Sequence, residues 1–191
     1  MRRTTKALAV LAVSGMALGA GAAAASADTV NSTVSGGSLT VSTAAPTLSA
    51  VTLNGTNTQT STGTSGTWTI TDARGTGANW TVSASATAFT SAAGTVETTA
   101  RTIAATALTV TPGTVTPGAG SDAATISAPA LAMSTTSQAL ISATGPAKGT
   151  YTLAPSFSLA IPANAYRSNY SGTVGSSALN PYTSTLTYTI G

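Results

Sequence analysis

The 191-residue chain contains no cysteine and no histidine, and only 7 Lys+Arg and 4 Asp+Glu. Each absence removes a class of chemistry. Without imidazole or thiol there is no histidine general base, no thiolate nucleophile and no transition-metal site built on those ligands. No disulfide can form, and no acylated-cysteine anchor is available. Glycoside hydrolysis needs two facing carboxylates. The four acids, Asp28, Asp72, Glu97 and Asp122, stand in no recognisable motif, and Lys148 lacks the serine three residues before it that a Ser-Lys dyad would use. The sequence therefore reads as a non-enzyme, with no cofactor and no metal.

The charge that is present is unevenly placed. The formal net charge is +3. Arg2, Arg3 and Lys6 precede an apolar run from Ala7 to Val13, and small residues follow, ending in Ala25-Ser26-Ala27. A basic segment, an apolar segment and a small-x-small site make a secretory signal peptide, expected to span residues 1–27. The arginine pair lacks the apolar residues of a twin-arginine signal, which favours the general secretory route. Residues 28–191 then hold four basic residues (Arg74, Arg101, Lys148, Arg167) and four acidic ones, a net charge of zero. A neutral chain lacks the electrostatic footprint for nucleic acid and is poorly suited to anionic polymers or lipid. No apolar stretch in this part is long enough to span a membrane, and no sortase-type sorting signal is found. The expectation is a secreted protein, extracellular and held non-covalently if it is held at all, with one domain over residues 28–191 and room for a core without staples.

Thr, Ser, Ala, Gly and Val dominate this part, and good helix formers other than Ala are scarce. That favours strands. From Trp80 to Ala88 the even positions are Trp, Val and Ala while the odd ones are Thr and Ser. Such period-2 alternation predicts a strand with one apolar face and one hydroxyl face. Tyr182 to Ile190 repeats the pattern, interrupted at Ser184. Trp68 and Ile70 alternate with threonines, and Phe157, Leu159 and Ile161 alternate with Ser156, Ser158 and Ala160. Shorter candidates are Ser38 to Ser42, Leu48 to Leu53, Leu108 to Thr111, Ala123 to Ala128, Ala139 to Ala143 and Tyr151 to Leu153. Asn54 to Thr67, nearly all Thr, Ser, Gly and Asn, reads as a flexible loop or a hairpin edge. Ala92 to Ala105 is the one stretch where a helix is conceivable, against its β-branched content. Gly36-Gly37, Asn54-Gly55, Pro112-Gly113, Pro117-Gly118, Gly145-Pro146 and Asn180-Pro181 punctuate the strands. Together these predict an all-β protein, an antiparallel β-sandwich of Ig-like or related type.

Three aromatic-plus-apolar pairs stand two residues apart: Trp68 with Ile70, Trp80 with Val82, and Tyr188 with Ile190. That spacing puts both side chains on one strand face. The partners of Trp80 on its face are apolar, which suits a core role, while a ligand-facing role stays open. Between the two Trp strands, Asp72 and Arg74 are two residues apart, with Gly75 and Gly77 following. They form either a polar site or an intraloop ion pair on a glycine turn, and the ion pair is the favoured reading.

The run Thr67-Trp68-Thr69-Ile70-Thr71-Asp72-Ala73-Arg74-Gly75-Thr76-Gly77-Ala78-Asn79-Trp80-Thr81-Val82 resembles the first signature of the WxL domain family. Ser156 to Ala165, followed by the strand from Thr183 to Ile190, is similar to the end of the same domain. Clear motifs cover about residues 65–90 and 151–190. The resemblance implies an exported protein of Gram-positive bacteria that attaches non-covalently to the cell wall, with peptidoglycan or another wall glycan as ligand. It also implies companion surface proteins as partners. Carried across, the wall-binding motif positions are Trp80, Val82, Tyr188 and Ile190, with Trp68 as an added aromatic. The chain departs from the family pattern in three places: Val82 and Ile190 stand where the family has Leu, and Tyr188 where it has Trp. All three suit a strand, but a tyrosine offers a glycan a different stacking surface. The competing reading is a structural or adhesive subunit, whose C-terminal strand adds to the open sheet edge of a neighbour or companion.

Overall fold

The computed structural model describes residues 29–191. The expected signal peptide, residues 1–27, lies outside the described residues, as does Asp28. The compact unit begins at Ser35 and runs to Gly191. Its strands are β1 (Leu39–Ser42), β2 (Thr47–Leu48), β3 (Gln59–Thr64), β4 (Trp68–Asp72), β5 (Trp80–Ala86), β6 (Phe89–Ser91) and β7 (Arg101–Ile103). A single 3-10 turn at Ala105–Ala107 leads into β8 (Leu108–Thr111), β9 (Thr116–Pro117), β10 (Thr125–Ser127), β11 (Leu131–Ala132), β12 (Gln138–Thr144), β13 (Gly149–Leu153), β14 (Ser156–Ile161) and β15 (Leu186–Ile190). Every strand pairing among the described residues is antiparallel.

Two sheets share one set of long, bent strands. One has the order β1-β4-β13-β9 and the other the order β2-β3-β14-β8-β11. β1 leads into β2, β3 into β4, β8 into β9 and β13 into β14 without reversing direction. The register of β1 on β4 carries on unbroken into that of β2 on β3. Together they form a layer folded along a line through residues 43–46, 65–67, 112–115 and 154–155. Pro46, Pro112 and Pro155 remove backbone donors along this line, and Gly113 adopts a positive φ of 76°. Ser65 N–H donates to the Pro155 carbonyl across the bend. Pro112-Gly113, which reads as a turn in the sequence, is thus a kink in a strand that runs on.

The second layer has the order β10-β12-β5-β15 and bends in the same way. β5 passes through Thr87 and Ala88 into β6, which pairs with β7. Residues 182–185 follow alongside, with Thr90 bridged to Thr183. At this bend Ser184 Oγ donates to the Thr87 carbonyl, and Thr185 N–H donates to Thr87 Oγ1. Side chains here stand in for ladder bonds. Ser184, which breaks the apolar face of the C-terminal strand in the sequence, marks the place where the strand bends.

The layers pack through aromatic contacts. The rings of Trp68 on β4 and Tyr188 on β15 meet edge-on at 4.6 Å, and those of Trp80 on β5 and Tyr151 on β13 at 5.5 Å. Ile70, Val82, Leu108, Val110, Met133, Leu140, Ile141 and Phe157 complete a continuous core, each contributing about 1.5–3 kcal/mol when fully buried. A register shift between Ala139 and Ile141 on β12 lets both Leu140 and Ile141 point inward.

The all-β sandwich agrees with the sequence reading, and the differences are local. Asn54 to Thr67 is part loop and part strand: residues 54–58 form an exposed bend, and the rest contains β3, which is not an edge but lies between β2 and β14 in the layer interior. The candidate from Leu48 to Leu53 shortens to Thr47–Leu48, because only Ser49 keeps bonds to the neighbouring strand beyond it. Ala92 to Ala105 holds β7 and enters the 3-10 turn, as its β-branched residues favour.

Candidate functional site

The two motif strands are neighbours. β15 pairs with β5 so that Ile190 faces Val82 and Tyr188 faces Ala84. Thr81 and Gly191 exchange both backbone hydrogen bonds, at 2.7 and 3.1 Å, which ties the end of the second motif to the first. Segments more than a hundred residues apart in sequence thus form one ladder, with their apolar face turned to the opposite layer.

That face is the core. Trp68 and Val82 are 0% exposed and Trp80 is 1% exposed. The Trp80 indole N–H donates to the Ala147 carbonyl at 3.1 Å, so the ring is fully satisfied inside the protein. Trp68 Nε1 points at the Ala44 carbonyl at a longer 3.4 Å. Tyr188 and Ile190 are half-buried. The Tyr188 hydroxyl has no partner, and burial pushes its pKa up to about 12. Trp68, Trp80 and Val82 offer no surface to a polymer: their part in the fold is to hold the two layers together.

The turn after β4 is a closed latch. Asp72, with a fully buried side chain, accepts from Arg74 Nε at 3.0 Å, from Nη2 at 2.9 Å and from the Arg74 backbone N–H at 3.0 Å. Arg74 Nη2 also donates to the Ala78 and Asn79 carbonyls. Gly75 and Gly77 take positive φ values of 73° and 68° that allow this wrap. The Arg74 guanidinium holds the Asp72 carboxyl below its usual range. The two charges are spent on each other, as an intraloop pair.

The open surface lies along one edge of the sandwich. There β1 and β2 form the edge of the first layer, and β15 with residues 182–185 forms the edge of the second. The edge is shut where Trp68 meets Tyr188. Beyond that contact, at the two bends, it opens into a furrow. Its first part is a cavity of about 510 Å³ whose lining includes Phe89, Phe157, Tyr182, Thr47, Thr183 and Ser184. Its second part, about 560 Å³, runs on along residues 48–53 to Tyr166, Arg167, Leu179 and Pro181. Leu48 and Tyr182 line both. Each volume falls in the range of about 300–1,000 Å³ usual for small-ligand sites. Tyr166, Tyr182 and the half-buried Tyr188 are its rings with surface to offer, since Phe89 and Phe157 are buried, and Thr47, Thr183 and Ser184 add hydroxyls, a combination able to stack on rings and hydrogen-bond to a hydroxyl-rich ligand.

The far end of the furrow is built from loops. Tyr182 Oη donates to the Tyr166 carbonyl at 2.9 Å. Glu97 accepts from the Arg167 guanidinium and from Tyr170 N–H, which hold its carboxyl below the usual range. Asn169, fully buried, donates to the Ala92 and Thr99 carbonyls and so fixes the loop after β6. No local pattern joins these residues into one site, because they are scattered over 97–101, 166–170 and 180–182. Tyr182 heads the Tyr182–Ile190 alternation in the sequence, while Tyr166 and Tyr170 lie outside any alternation, which was the one available signal for them.

Among the described residues no group of three or more acids stands together as a metal site, and no helix is long and apolar enough to cross a membrane. Comparison with curated proteins and with solved structures gave no match. The family model described as "WxL domain surface cell wall-binding" matches residues 25–190, nearly the whole chain and both motif strands. The chain belongs to the WxL domain family of cell-wall-binding surface domains.

Proposed function

We propose that this domain is exported behind a signal peptide cleaved after Ala27 and binds peptidoglycan non-covalently, without catalysing any reaction. The observation that carries the reading is the furrow: an open trough that offers tyrosine rings and hydroxyls on a protein whose Trp68 and Trp80 are sealed in the core. A neutral glycan mesh suits it better than a polyanion, because three of the four described basic residues are already paired with acids.

Sedimentation with purified wall sacculi tests the reading. The protein is expected to pellet with sacculi, and the bound fraction is expected to change little between low and high salt, since few charged contacts are there to be screened. Protein left in the supernatant at both salt concentrations would refute it. A second reading is supported by β15, whose outer edge has no strand partner among the described residues. Strand addition there, to another copy or to a companion surface protein, would build a polymer. A ladder of multimers in solution mass would favour that assembly over a monomeric wall binder.

A further inference from the structure

β15 is the longest edge strand among the described residues. The strands at the other sheet edges run for two to four residues, and β9 contains Pro117. Shortness, proline and charge are devices that keep an open edge from pairing. β15, Leu-Thr-Tyr-Thr-Ile, has none of them. Thr81 and Gly191 exchange both backbone bonds on the β5 side. The alternation of an antiparallel ladder therefore turns the N–H and C=O of Leu186, Tyr188 and Ile190 to the open side. The same three side chains are only half-buried, whereas Trp80, Val82, Ala84 and Ala86 on β5 are buried. The edge lacks one strand of cover. The chain carries a segment of matching spacing. Residues 29–34, Thr-Val-Asn-Ser-Thr-Val, precede the compact unit, pair with no strand and hold no charge, proline or glycine. Val30 and Val34 are 93% and 96% exposed, the most exposed large hydrophobic residues described. Four residues apart in an extended chain, they share a face, as Leu186 and Ile190 do.

We infer that residues 29–34 of one copy add to the open edge of β15 in another copy, antiparallel, with Val30 opposite Ile190, Ser32 opposite Tyr188 and Val34 opposite Leu186. This register sets apolar residues against apolar ones and gives the large Tyr188 ring a small neighbour. It leaves Asn31 and Thr33 beside the exposed Thr189 and Thr187 on the solvent face. The inference rests on the strand-addition reading above and names its donor. It is compatible with wall binding, because no β15 residue lines the second part of the furrow. Each copy carries one arm and one edge, so the contact can repeat from copy to copy.

Engineered disulfides test this, since the chain has no cysteine of its own. In the inferred register Asn31 and Thr189 form a non-hydrogen-bonded pair with Cα atoms about 4.5 Å apart, within disulfide reach. Thr187 is diagonal to Asn31, about 7–8 Å away and out of reach. Secreted chains carrying Asn31→Cys are mixed under oxidising conditions with chains carrying Thr189→Cys or Thr187→Cys. The Thr189→Cys mixture is expected to form a covalent heterodimer about tenfold faster than the Thr187→Cys one. The parent chain is expected to form multimers that grow with concentration. Val30→Asp with Val34→Asp should abolish multimers and heterodimer alike while keeping the unfolding midpoint, because both valines are exposed. Equal crosslinking in the two mixtures, or crosslinking that survives the double substitution, would overturn the inference. Multimers that persist in the doubly substituted chain would also overturn it, and would leave strand addition by another segment standing. A parent chain that stays monomeric and forms no heterodimer loses the strand-addition reading as well.

Discussion

Trp80 is held tightly: Val82 follows it on its own strand face, Tyr151 packs against its ring, and Ala147 accepts its N–H. Trp80→Ala is expected to cost about 3–5 kcal/mol in chemical denaturation, because the cavity left in a packed two-layer core cannot collapse. Tyr188 behaves differently. Its hydroxyl is buried without a partner, so Tyr188→Phe is expected to match or exceed the parent in stability, by up to about 1 kcal/mol. The pH dependence follows the same logic. Burial raises the folded-state pKa of Tyr188 to about 12, above the 10.0 of an ordinary phenol. The unfolded chain therefore loses this proton first, and the stability tied to the neutral phenol, full below pH 10, drains away as pH rises toward 12. Denaturation at about pH 9 and pH 11 should show a smaller loss for Tyr188→Phe than for the parent. The period-2 pattern around Trp80 already pointed to a core residue. The unpartnered state of the Tyr188 hydroxyl depends on what the opposite layer brings, and no local pattern carries that.

At the scale of elements, strands with strict alternation were legible, since an apolar face facing a layer repeats every second residue. Trp80–Ala86 and Ser156–Ile161 are such strands. β3 was not, because its sequence Gln-Thr-Ser-Thr-Gly-Thr presents no apolar face. Its place is set by neighbours: Ser61 Oγ donates to the Ser49 carbonyl, and the β2 backbone lies so close to Gly63 that a β-carbon would overlap the Thr47 carbonyl oxygen. Gly63→Ala is expected to detach β2 from β3 and loosen the furrow wall at Leu48 while the Trp68 and Trp80 core persists. Faster amide exchange confined to residues 47–49 and 61–64 would be the sign, and unchanged exchange there would contradict it. The bends also escaped the sequence reading. A proline or glycine at a strand kink and at a chain reversal look alike locally, and only the shared register of β1 with β2 tells them apart.

For the whole molecule, two bent layers meet at Trp68 and Tyr188, and the furrow opens directly beside that contact, with Tyr188 in its lining and Tyr182 at its midpoint. The scarcity of charge was plain in the sequence, and three of the four described basic residues end in ion pairs. The furrow itself could not be read there, because its lining is drawn from scattered segments between Thr43 and Tyr188. The central claim is that Trp68, Trp80 and Val82 build the sandwich while the furrow, which the motif residue Tyr188 also lines, meets the wall. Sacculus sedimentation of Trp80→Phe and Tyr182→Ala, each first shown to unfold cooperatively, tests it most directly. Trp80→Phe is expected to pellet like the parent and Tyr182→Ala to remain largely in the supernatant. A folded Trp80→Phe that no longer pellets, or a Tyr182→Ala that pellets undiminished, would contradict the account.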